Sequence, residues 1–182
     1  MQAAVKAVGT MMSKRPIVGN VIIYGTLYTG AEFLQQTMNN RVLIPANSTP
    51  KPYDTGTLAR YGIMGTCIYP HILYHTYKFL DSKFVGNSLQ VVLPKLLIDA
   101  VIITPMNLTI FYVGMSALEG KRDLLEEWRK KIIPTFLTAS VFWIPAQLIN
   151  FKFLPPQARV LFVGTCQVIW VSILCWFKRQ EF

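Results

Sequence analysis

Five stretches of this chain contain no lysine, arginine, aspartate or glutamate, and each is close to the length that crosses a bilayer. They lie between Arg15 and Glu32, Arg60 and Lys78, Asp99 and Glu119, Lys131 and Lys152, and Arg159 and Lys178. Their lengths are 16, 17, 19, 20 and 18 residues, half of the 182 in the chain. A helix crosses the hydrocarbon core with ~20 predominantly apolar residues. A soluble domain of this size has one core, so each of its helices must carry charge on the face turned to water. Five uncharged stretches leave no such face. The sequence predicts an all-α, polytopic transmembrane helical bundle in one integral membrane domain, 1–182. Its apolar helical runs fall at about 16–38, 58–80, 89–118, 132–151 and 159–177, with a charged interfacial segment at 119–131.

Charged residues make up 15% of the chain, against ~25% in ordinary globular domains. The net charge of +9 sits mainly in connections and at run ends, where basic side chains meet anionic headgroups. No Lys/Arg run interleaves with aromatics, so the expected partner is the lipid bilayer and not nucleic acid. Self-association stays open. Cys67, Cys166 and Cys175 show no paired spacing and read as buried reduced thiols. No acidic residue precedes Glu32, and the first twenty residues lack a secretory pattern. The terminal RQEF is no peroxisomal tripeptide address. Together these favour the mitochondrial inner membrane, with the peroxisomal membrane as the alternative.

Along the first run, Gly25/Thr29 and Thr26/Gly30 give small-xxx-small spacing for close helix approach. Pro70, Pro105 and Pro145 each give a different run a kink, because proline removes an N–H and its ring crowds the carbonyl four residues back. Leu124, Leu125 and Trp128 make the 119–131 segment half-apolar, which suits either an interfacial helix or a solvated connecting one.

Polar groups inside the runs are the candidates for function, since each charge at mid-helix is expensive. Lys95 and Asp99 stand at i, i+4 on one face, with Asp99 expected to face a water-accessible cavity or to sit as an interfacial pair. Glu32, at the end of the first run beside Gln35 and Gln36, either joins that polar interior or simply reaches water. Gln147 and Asn150 lie one turn apart near Pro145 and need partners across helices. His71 and His75 are also i, i+4, but no further ligand completes a metal site; cavity lining or core hydrogen bonding is expected. There is no nucleophile–base set, phosphate loop, GxSxG or HExxH motif, so neither an enzyme nor a cofactor is expected.

The segment WIPAQLINFKFLPPQAR, Trp143 to Arg159, followed by VIWVSILCW, resembles the signature of the Mpv-seventeen/peroxisomal membrane protein twenty-two family. Trp143, Pro145, Gln147, Asn150, Phe151, Pro155, Arg159, Trp170 and Ser172 carry that pattern. FYVGMSALEGK is similar to the Mpv-seventeen-like branch, and Asp99 with Pro105 and RPIVGNVIIYGTLYTGAEFLQQ extend the likeness forward. The resemblance implies an organellar multi-pass protein drawn with four spans, which would leave the Pro145 run broken or re-entrant. It also implies a small-solute or ion channel linked to reactive-oxygen handling and mitochondrial DNA upkeep, with a non-conducting scaffold as the alternative.

Overall fold

The computed structural model describes residues 15–42, 49–85, 88–153 and 156–180. Within them the chain is helical, with no strand. The elements are α1 (Pro16–Thr37), α2 (Thr55–Ile63), α3 (Tyr69–Lys83), α4 (Leu89–Ile98), α5 (Thr104–Leu118), α6 (Glu126–Lys152) and α7 (Pro156–Arg179). One-turn π-helical segments extend α1 (Met38–Val42) and join α2 to α3 (Met64–Ile68) and α4 to α5 (Asp99–Ile103). The result is five rods, one for each uncharged stretch of the sequence.

The two internal π-turns have a shared cause. Tyr69, just before Pro70, donates its N–H to Met64 O, and Thr104, just before Pro105, donates to Asp99 O. Each is an i→i−5 bond, which widens the turn so that the following proline ring does not collide with a carbonyl. Pro145 behaves differently. α6 runs unbroken from Glu126 to Lys152 through both Pro134 and Pro145, so the run is neither broken nor re-entrant.

The charged 119–131 segment is not a helix of its own. α5 ends in a Schellman turn, with Gly120 at φ +69°, Gly120 N–H on Ala117 O and Lys121 N–H on Ser116 O. α6 then starts at Glu126, six residues before the apolar run, because Glu126–Lys130 and Glu127–Lys131 pair at i, i+4 along its first turns. Asp54 caps α2, accepting from the Thr57 backbone N–H at 2.9 Å and its hydroxyl at 2.7 Å.

The burial pattern is inverted relative to a soluble bundle. α6 turns Ile133, Leu137, Val141, Ile144 and Leu148 outward and Thr135, Ala139 and Ala146 inward. Glu32, Gln36 and Thr135 are buried while Leu97, Val101 and Ile102 are exposed. An aliphatic exterior over a partly polar interior suits lipid and not water. Three helices among the described residues are long and apolar enough to cross a membrane: Ile17–Val42, Gln90–Leu118 and Glu126–Ile149.

The α1 rod packs on α2, on the Met64–Ile68 turn, on α3 and on α7; α6 packs on α5 and α7. The contact between α1 and the Met64–Ile68 turn is close enough to require glycine. A Cβ on Gly65 would lie 2.5 Å from Tyr24 O, and one on Gly25 would lie 2.6 Å from Thr66 Cγ2. Of the two small-residue pairs, Gly25/Thr29 therefore faces its neighbour, whereas Gly30 meets nothing within 4 Å. His71, His75 and Cys67 are exposed, contrary to the expected interior placement; Cys166 and Cys175 are buried and free.

Candidate functional site

Two chambers lie inside the bundle, one above the other, with a layer of packed aromatics between them. The lower chamber, about 320 Å³, is lined from all five rods. Tyr24 and Tyr28 come from α1, and Tyr69 and Leu73 from α3. Asp99, Thr104, Asn107 and Leu108 come from the α4–α5 rod. Trp143 and Gln147 come from α6, and Gln167, Trp170 and Leu174 from α7. Pro105 thus has a direct consequence for the site: the π-turn it forces begins at Asp99 and carries that carboxylate to the chamber wall. Asp99 lies within electrostatic reach of the Tyr24 hydroxyl. Asn107 Oδ1 is buried without a hydrogen-bond partner, although its backbone carbonyl accepts from Tyr69 OH at 2.8 Å.

Above the chamber, Tyr28 and Tyr69 stack at 4.8 Å, and Tyr61, Met64, Phe111, Tyr112, Met115, Val171 and Cys175 continue the layer with at most 1% exposure. Tyr112 OH and Thr135 Oγ1 share a hydrogen bond of 2.6 Å. From Tyr61 to Tyr69 the layer spans eight residues, or ~12 Å of helix. It closes the axis of the bundle in this conformation.

The upper chamber, about 330 Å³, is walled by ionic groups. Glu32 is fully buried, accepts from Gln36 Nε2 at 2.9 Å and pairs with Arg179 at the end of α7. Gln36 in turn holds the α2 cap: its Oε1 accepts from Asp54 N–H at 2.8 Å, and its Nε2 donates to Asp54 O at 3.1 Å. Glu127 is shared by Lys121 at 2.9 Å, Lys131 at 2.8 Å and Lys178, while Lys178 also reaches Glu119 at 3.0 Å. Lys131 Nζ donates to Lys178 O at 2.6 Å, tying α6 to the end of α7. Hydrogen bonds from the Thr57 hydroxyl and N–H hold the Asp54 carboxyl below its usual range. Burial pulls Lys121 down, but its bonds to Glu127 and Glu119 outweigh that and hold it above the ordinary lysine value.

Of the residues singled out in the sequence, Asp99, Gln147, Trp143 and Trp170 come together in the lower chamber. Lys95 is half-buried one turn before Asp99 and does not line that chamber, and Ser172 bonds back to Val168 O at 2.9 Å. Glu32 belongs to the upper chamber, on a different level from Asp99. The side chains of Asn150, Phe151 and Arg159, and Pro155 altogether, lie outside the described residues. Sequence reasoning passed over Tyr24, Tyr28, Tyr69, Asn107 and Gln167. The i, i+4 spacing of Tyr24 and Tyr28 and the mid-run amides were the available signal.

A family model described as the Mpv17 / PMP22 family matches residues 116–175, from the end of α5 through most of α7. Over that segment the chain is similar to the Mpv17 / PMP22 family, and relatives that carry the Mpv17 name are similar to it over nearly its whole length. It is 29% identical over 168 residues to the Mpv17-like protein of Xenopus laevis, covering 92% of this chain and 79% of that protein. It is 28% identical to the Mpv17-like protein of Bos taurus over 180 residues, 99% and 84% of the two chains. It is 29% identical to Protein SYM1 of Saccharomyces cerevisiae over 174 residues, 90% and 84%. No solved structure matches. The family segment contributes Trp143, Gln147, Gln167, Trp170 and Leu174 to the lower chamber and Glu119, Lys121 and Glu127 to the upper one.

Proposed function

We propose that this chain is a multi-pass protein of an organellar membrane that conducts small cations or polar solutes through the bundle. The carrying observation is the lower chamber, which holds a carboxylate, amides and hydroxyls inside an aliphatic shell. Intramembrane ionisable residues mark pathways by default. Among the described residues Asp99 is the one ionised side chain that lines the chamber, which supports a preference for cations, moderated by Lys95 one turn away. All five rods border it, which supports five crossings, with α2–α3 and α7 completing the wall left by the three long apolar helices.

The aromatic layer makes this a closed state, and it is also what favours the second reading, a non-conducting scaffold whose polar groups only tie helices together. Purified protein in planar bilayers separates the two. A pore gives unitary currents with cation preference, and Asp99→Asn reduces that preference. Silence from folded protein across voltage and pH supports the scaffold. The mitochondrial inner membrane is the proposed compartment, supported by the basic, acid-free stretch before Glu32, with the peroxisomal membrane as the alternative. A part in reactive-oxygen handling and mitochondrial DNA upkeep follows only from the family resemblance. A non-catalytic role is proposed because the sequence carries no phosphate loop, GxSxG or HExxH motif.

A further inference from the structure

The upper chamber holds charges of both signs, and its pairing is incomplete. Glu32 answers Arg179, and Arg60 stands beside Asp54. The three lysines Lys121, Lys131 and Lys178 share two carboxylates, Glu119 and Glu127. Among the described residues this network therefore holds one more positive charge than negative. Lys121 is where that surplus can be reached: its side chain is 40% exposed, against 7% for Lys131 and 9% for Lys178. Its ammonium has three donors and meets two acceptors, Glu119 Oε2 and Glu127 Oε2, so one N–H is left over.

Glu32 presents the opposite need. Its Oε1 accepts from Gln36 and Arg179, while its Oε2 is buried with no hydrogen-bond partner. Tyr61 OH is buried and unpartnered as well, and both residues line the chamber. Cys175 is a neighbour of both, but a thiol is a weak donor for a carboxylate. A buried acceptor without a donor is costly, so this wall calls for an N–H or O–H group. Asn40, half-buried on the same chamber, adds an amide. A solute of one sign meets like charge here, because carboxylates and basic groups both line the space. We propose that this chamber binds a small zwitterion, an amino-carboxylate whose ammonium is received by Glu32 and Tyr61 and whose carboxylate is held by Lys121. At about 330 Å³ the space is at the lower end of the ~300–1,000 Å³ that small-molecule sites occupy, which suits a short solute.

The site lies in the other chamber from the one that carries the pore reading, and its test is a binding measurement that needs no current. Full-length protein in dodecyl maltoside, an uncharged detergent, is titrated calorimetrically with glycine, β-alanine and γ-aminobutyrate. Butylamine and butyrate serve as single-charge controls. At least one amino-carboxylate should bind about tenfold or more tightly than either control. Lys121→Gln, at an exposed position, should weaken that binding by about tenfold or more, toward the level of butylamine. Glu32→Gln should weaken it toward the level of butyrate. Wild-type protein that binds no amino-carboxylate more tightly than the controls overturns the site, and that result needs no variant to fold. A folded Lys121→Gln protein with wild-type affinity overturns the assigned contacts. Binding with silent bilayers removes the pore and keeps the site; currents with no such binding do the reverse.

Discussion

Gly65→Ala tests whether the chamber depends on the close approach of α1 and the Met64–Ile68 turn. The added Cβ would stand 2.5 Å from Tyr24 O, 2.9 Å from Tyr28 Cβ and 3.0 Å from Tyr24 C. Ordinary contact begins at 3.4 Å, so the backbone of α1 must recede by about 0.9 Å, and a carbonyl within a helix cannot rotate aside. Overpacking of this kind costs ~1–3 kcal/mol. The better helix propensity of alanine offsets ~1 kcal/mol of it, leaving a net loss of up to ~2 kcal/mol. Gly30→Ala is the matched control. It meets nothing within 4 Å and should stabilise by up to ~1 kcal/mol. Gly25→Ala lies between them, because the 2.6 Å contact is to a methyl of Thr66. Turning that side chain away gives up its 2.7 Å bond to Gly62 O. Reversible unfolding in mixed SDS micelles, followed by tryptophan fluorescence, ranks the three. The expected order of stability is Gly30→Ala, wild type, Gly25→Ala, Gly65→Ala. A Gly65→Ala protein as stable as Gly30→Ala refutes the reasoning.

Arg179→Met strands Glu32 as an unpaired charge with no exposure and should cost ~3–5 kcal/mol in the same unfolding assay, with the Glu32→Gln/Arg179→Met double variant less affected than the single one. Asp54→Ala removes the α2 cap at a cost of ~0.5–2 kcal/mol near neutral pH. Because the folded Asp54 carboxyl titrates below its ordinary value, its contribution is complete above about pH 4 and is lost as pH falls through the lowered value. Melting curves from neutral pH to pH 3 should therefore show the variant and the wild type converging on the acid side. Tyr28→Ala breaks the 4.8 Å stack on Tyr69 and thins the layer between the chambers. Thiol-reagent access to Cys175, which is fully buried in the wild type, should rise many-fold, and unchanged protection would count against the layer as a seal.

The fold was largely legible because uncharged length and proline position are local properties. Each of the five uncharged stretches is a rod, and Pro105 places a π-turn on Asp99 through two adjacent turns of chain. The site was legible only where chemistry and spacing pointed the same way, as for Asp99, Trp143 and Gln147. Glu32 was not, since a glutamate at a helix end ordinarily reaches water and its partner Arg179 lies 147 residues away. The start of α6 was misplaced because charge reads as the end of a span, whereas Glu126–Lys130 and Glu127–Lys131 sustain a helix. The tyrosines were passed over because an aromatic in an apolar run looks like core packing. Only the assembled ring of rods reveals that Tyr24 and Tyr28 face Trp170 across a chamber.

The vertical order of these features limits how anything could pass. The ionic chamber is braced by α6 and α7 through Glu127, Lys131 and Lys178, and by α1 through Glu32 and Arg179. Breaking that network exposes buried charge, so it favours a fixed end. The lower chamber is bordered instead by the two π-turn rods, whose i→i−5 bonds at Tyr69 and Thr104 replace the regular ladder. Movement of α3 away from α1 and α5 there would part Tyr28 from Tyr69 at the expense of one ring stack and the Tyr69–Asn107 hydrogen bond. Those losses amount to ~1–3 kcal/mol, within reach of ligand binding or membrane tension, whereas opening at the ionic end meets a larger barrier. The seal between the chambers is therefore held by the weaker ties, and the ion-paired end by the stronger ones.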